Sequence, residues 1–175
     1  MHKIDRRGQP SNAISVHGYV HGIDIAGGKM YLLVHYRGWR IAVYNLNYDF
    51  ITSWDHPDVC SYNKLAVNHN SVLISLKNPC SIIRYGTEGQ TSRTIRCDHM
   101  NNSDRSILHT ADPDLVIGRS GDCVFAFNLR SRKTMWTNNT LNKPDGLTYQ
   151  DDKLYVAVGG DSKNNSVDIL DARSG

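Results

Sequence analysis

Four residues of this 175-residue chain recur at nearly one interval and carry side chains able to recognise a ligand. They are His21, Asn63, Arg105 and Asp145, separated by 42, 42 and 40 residues. An imidazole, an amide, a guanidinium and a carboxylate brought to one mouth would make a polar binding site, offering donors, acceptors and both signs of charge. Other chemistries are poorly supplied. A hard-metal site needs several oxygens within reach, and only Asn63 and Asp145, with Asp24 at a distance, offer them. There is no Gly-x-Ser-x-Gly elbow for nucleophilic catalysis and no glycine-rich phosphate loop leading into a helix. Cys60, Cys80, Cys97 and Cys123 stand 20, 17 and 26 residues apart, without the close pairing of a zinc site. They read as free thiols of a reducing, cytoplasmic compartment. The spacing of packed sheets also argues against a Cys80–Cys123 bridge, because sheets lie about 10 Å apart and a disulfide needs Cα atoms within about 7 Å.

The elements that would position the four residues are short strands. His21-Gly22-Ile23-Asp24-Ile25, Gly28-Lys29-Met30-Tyr31-Leu32-Leu33-Val34, Arg40-Ile41-Ala42-Val43-Tyr44-Asn45 and Phe50-Ile51-Thr52-Ser53-Trp54 are rich in β-branched and aromatic residues and are punctuated by Gly, Asn and Asp. The same quartet returns from Leu65, from Ile107 and from Leu147, the last without its fourth strand. Val43, Ile83, Phe125 and Asp168 fall at corresponding third-strand positions with gaps of 40, 42 and 43. Nothing has a helical period. Four antiparallel strands per 40 to 45 residues is the signature of a β-propeller blade, which cannot cover both of its faces alone and so stacks on its neighbours.

The expected fold is therefore all-β: blades of four antiparallel strands with a period of about 42 residues, in an incomplete ring. A single propeller would occupy residues 1–175, with a half blade at 1–17 and blades at 20–56, 63–98, 105–138 and 145–172. The half blade is read as strands at 3–8 and 12–16. Both chain ends look as though they fall within a domain, although a ring of four closed by the leading strand is the alternative. The four repeat-equivalent residues are placed in the loops entering the innermost strands. Trp54 and Trp136, near the ends of fourth strands, are expected at the rim between blades. Asp112-Pro113-Asp114, Asp151-Asp152 and the basic run Arg130-Ser131-Arg132-Lys133 read as hairpin turns in solvent.

The first repeat, from Gly22-Ile23-Asp24-Ile25 to Phe50-Ile51-Thr52-Ser53-Trp54, resembles the NHL repeat. The fourth, from Asp145-Gly146-Leu147 to Val167-Asp168-Ile169-Leu170-Asp171, is similar. The middle two share only the strand rhythm. The family's acidic residue after the second strand is replaced at or near His35 and Gly159. This resemblance implies an interaction scaffold that binds protein, or RNA as the second candidate, and it brings in related six-bladed metal-dependent lactonases and esterases as the alternative.

Composition agrees with a packed binding module. The chain is 39% hydrophobic and carries a formal charge of +3, enough apolar residues for a core and too little charge to imply nucleic acid by itself. No apolar run is long enough to cross a membrane as a helix, and the N-terminus lacks the apolar stretch of a signal peptide. The expectation is a non-catalytic scaffold with a protein partner, no cofactor, no membrane association and no small-molecule ligand.

Overall fold

The computed structural model describes residues 2–4, 10–13, 15–56, 64–68, 70–76, 81–96, 108–110, 113–141, 143–159 and 165–175. Every regular element among them is a strand. The chain divides into two compact units, Met1–Asp58 and Val59–Gly175.

The first unit holds β1 (His2–Ile4) paired with β2 (Pro10–Ala13), followed by a four-stranded sheet. The sequence places the leading strands one to two residues later. Pro10, with no N–H to give, opens β2, and Val16 joins the core instead of a strand. The sheet is the meander β3 (Tyr19–Ala26), β4 (Lys29–His35), β5 (Trp39–Asn45) and β6 (Phe50–His56). Five successive residues of β4, Met30 to Val34, are buried. That is the pattern of an inner strand covered on both faces. Met30, Leu32, Val34 and Ala42 form one core with Val16, Tyr44 and Tyr48 against it.

The second unit carries three further meanders. The second blade runs β7 (Lys64–Val67), β8 (Val72–Leu76), β9 (Ser81–Tyr85) and β10 (Thr91–Arg96). The third runs β11 (Leu108–Thr110), β12 (Leu115–Ser120), β13 (Cys123–Asn128) and β14 (Lys133–Asn138). The fourth has three strands, β15 (Pro144–Gln150), β16 (Lys153–Val158) and β17 (Ser166–Asp171). Blade faces bury one another, as the repeat requires. Ala66, Leu73, Ile82 and Ile95 of the second blade pack on Val116, Phe125, Phe127 and Leu129 of the third. Leu115, Ile117, Val124 and Ala126 pack in turn on Leu147, Leu154, Val156 and Val158 of the fourth.

Pairing registers reveal a feature the repeat alone conceals. In β6, β10 and β14 one residue is squeezed out of the ladder: Ile51, Ser92 and Met135 respectively. Each outer strand of a four-stranded blade thus has one bulge at the same place in the repeat. A bulge twists an edge strand and blunts it as a template for stray pairing.

Trp136 lies two residues before the end of β14 and packs against the core between the third and fourth blades. Its indole N–H donates to the Ala172 carbonyl at 3.1 Å, fastening the third blade to the turn that follows β17. Asp151 and Asp152 sit at φ 51° and 59° in the β15–β16 turn, the two successive positive values of a two-residue hairpin loop.

Candidate functional site

His21 lies within β3, not in a loop before it. Val20 pairs with Val34 and Gly22 with Leu33, so His21 is the extra residue of a β-bulge. Bulges re-aim side chains and are over-represented beside functional sites. Here the bulge sets the His21 ring 4.6 Å from the Trp39 ring and 6.2 Å from that of His35, while His35 and Trp39, direct cross-strand partners, stand 4.7 Å apart. Trp39 is buried and pairs on its other side with buried His56 of β6. A row of imidazoles around one indole therefore crosses the end of the sheet. Its exposed rim is aromatic and cationic: Tyr19 is 76% exposed, and the Arg37 guanidinium lies 5.5 Å above the Tyr36 ring.

Asp145 occupies the same kind of position in the fourth blade. Pro144 pairs with Val158 and Gly146 with Ala157, which leaves Asp145 as the bulge residue of β15. Its carboxylate is largely exposed and lies 3.8 Å from Arg119 of β12. The same Arg119 guanidinium donates a hydrogen bond to the Pro144 carbonyl, so the third blade supplies the cation that holds the fourth blade's bulge. Behind the carboxylate opens a cleft of about 480 Å³, lined by Ala157, Val158, Gly159 and Val167 with Asn165 and Ser166. An exposed acceptor over a mostly apolar cleft suits a donor-tipped side chain with an apolar stem.

Of the four residues singled out by spacing, His21 and Asp145 are thus both bulge residues of first strands. Asn63 and Arg105 lie outside the described residues. Spacing could find the position but not the bulge, which only strand register reveals. Sequence reasoning missed His35, Trp39 and Arg119, because each acts on its partner across strands or blades. Among the described residues no three His, Cys, Asp or Glu side chains gather as a metal site, and no helix is long and apolar enough to span a membrane.

Cys123 is a free thiol. Burial pushes its pKa up, opposed by a hydrogen bond from the Asn138 backbone. Cys60, Cys80 and Cys97 lie outside the described residues, and with them the Cys80–Cys123 expectation.

No protein-family model matches the sequence, and no curated protein matches it. Solved structures do. A protein of unknown function from Bacteroides caccae aligns over 98% of this chain and 70% of its own, with a TM-score of 0.72 at 16% identity. U3-55K aligns over 90% of this chain and 50% of its own, with a TM-score of 0.67 at 10% identity. BamB from Moraxella catarrhalis, a β-propeller, aligns over 90% and 48%, with a TM-score of 0.62 at 15% identity. The chain spans about half the length of the last two. The likeness is one of fold, and with the repeated four-stranded meanders it makes this an all-β chain built of β-propeller blades.

Proposed function

We propose that the chain is a non-catalytic interaction module of NHL-like type, and that it binds a protein partner through the first-strand positions His21, Asn63, Arg105 and Asp145. The observation that carries this reading is the recurrence of a bulge at His21 and at Asp145. Two separate sheets interrupt their ladders at the same repeat position, and at each the freed residue projects a polar side chain beside an aromatic or apolar surface. Regular pairing would stabilise both strands better, so a feature repeated at a cost to the ladder fits a binding role. The glycines that carry the NHL resemblance, Gly22 and Gly146, directly follow the two bulge residues. The rim suits a protein surface: Tyr, Trp and Arg dominate interface hot spots, and exposed Tyr19 and Tyr36, with Arg37 over the Tyr36 ring, supply such groups next to the strand ends that carry His21 and His35.

The test is affinity capture from an extract of the source organism, quantified by mass spectrometry, for the wild-type chain and a variant with all four residues changed to alanine. The reading expects at least one partner whose recovery falls about tenfold or more in the variant, a loss of about 1.4 kcal/mol. Equal recovery of every captured protein would refute the assignment of these positions.

A further inference from the structure

A second cleft, of about 320 Å³, opens between the second and third blades, and its lining is dominated by cations: Arg84, Arg93 and Arg130, with Asp114, Ile95 and Leu129. Arg84 on β9 and Arg93 on β10 are direct cross-strand partners, next to the bulge at Ser92. Partners of this kind project from the same face of the sheet, and like charges directly opposite one another destabilise it. Asp114 stands 3.6 Å from Arg84 and offsets one of the two guanidiniums.

The third cation is delivered by a stiff support. The Asn128 side-chain oxygen accepts hydrogen bonds from the Arg130 and Ser131 backbone N–H groups at 3.0 and 2.7 Å. The Arg132 N–H donates to the Asn128 carbonyl at 2.8 Å, and the Leu129 N–H donates to the Asp114 carbonyl at 2.7 Å. The hairpin that carries Arg130 is therefore tied to the loop that carries Asp114. The apolar lining residues Ile95 and Leu129 are almost wholly buried, at 2% and 1% exposure, and low local polarity strengthens charge-assisted hydrogen bonds formed above them.

Three guanidiniums against one carboxylate leave the lining with a formal charge of +2. A phosphomonoester carries about −1.5 to −2 at neutral pH and offers three acceptor oxygens, matched by the paired donors of guanidinium forks. We infer that this inter-blade cleft is a binding site for a phosphomonoester dianion, carried by a soluble metabolite or by a lipid headgroup. A bound anion beside Arg84 and Arg93 screens what repulsion Asp114 leaves between them.

Calorimetric titration of the full chain at constant ionic strength tests this with phenyl phosphate and, as a monoanionic diester control, dimethyl phosphate. Co-sedimentation with phosphatidylcholine vesicles containing phosphatidic acid or phosphatidylglycerol separates the sources. The site is supported if phenyl phosphate binds about tenfold or more tightly than dimethyl phosphate and if Arg93→Gln and Arg130→Gln each weaken it about tenfold. Arginine-dependent sedimentation with phosphatidic acid vesicles alone would support the lipid source. Arg93→Gln should also raise the melting temperature of the ligand-free protein by about 1–3 °C, since it removes the like-charged pair. Equal binding of monoester and diester, indifference to both substitutions, or retention of oligouridylate without phenyl phosphate would overturn the proposal, the last in favour of a nucleic-acid backbone.

Discussion

Gly18 enters β3 at φ +113°, and a Cβ there would lie 2.6 Å from the His35 carbonyl oxygen and 2.7 Å from the Tyr36 Cβ. Gly18 thus packs directly on the backbone of His35, one member of the His21–His35–Trp39 row. Gly18→Ala should lose about 1–3 kcal/mol in urea denaturation, and a variant as stable as wild type would show that the approach is not required. Tyr85 gives a second residue-scale expectation, with the sign set by linkage. Burial pushes its phenol up to about 12, so the folded state holds a proton that the unfolded chain releases near the ordinary value of about 10. Its contribution is fully present below pH 10 and is lost as the pH rises toward 12. The melting temperature should fall over that interval, and Tyr85→Phe should flatten the fall; an equal fall in both proteins would contradict the assignment. The candidate residues themselves were legible as polar groups at one repeat interval. Their partners were not, because Arg119 acts on Asp145 from another blade and Trp39 meets His21 across β4, contacts that no local pattern in the sequence encodes.

At the scale of elements, each buried blade face is one side of a shared core. Phe125 is fully buried where the third blade packs on the second. Phe125→Ala should cost about 3–5 kcal/mol, a large share of the 5–15 kcal/mol typical of a whole domain, read as a lower urea midpoint. A loss under about 1 kcal/mol would mean that the face is not a core. Strand rhythm was legible because β-branched runs and Asn, Asp and Gly turns mark it residue by residue. Bulges were not: Ile51, Met135, His21 and Asp145 lie in unremarkable strand sequence, and a bulge exists only relative to the partner strand. The Arg84–Arg93 pair was hidden for the same reason, with eight residues between the two in the sequence and direct opposition in the sheet. The offset of the leading hairpin has a local cause, since an apolar residue such as Val16 can serve a core from outside any strand.

Taken whole, the chain repeats one structural unit and varies the residue offered at one position of it. Imidazole stands at the first-strand bulge of one blade and carboxylate at that of another, on sheets whose second strands bury aliphatic side chains. Many unrelated activities share such scaffolds. The measurement that bears most directly on the binding reading is hydrogen–deuterium exchange of the chain with and without its captured partner. The reading expects added protection in peptides spanning Tyr19–Ala26 and Pro144–Gln150, strongest toward His21 and Asp145. Protection confined to the turns at the far ends of those strands, around Gly27-Gly28 and Asp151-Asp152, would contradict it.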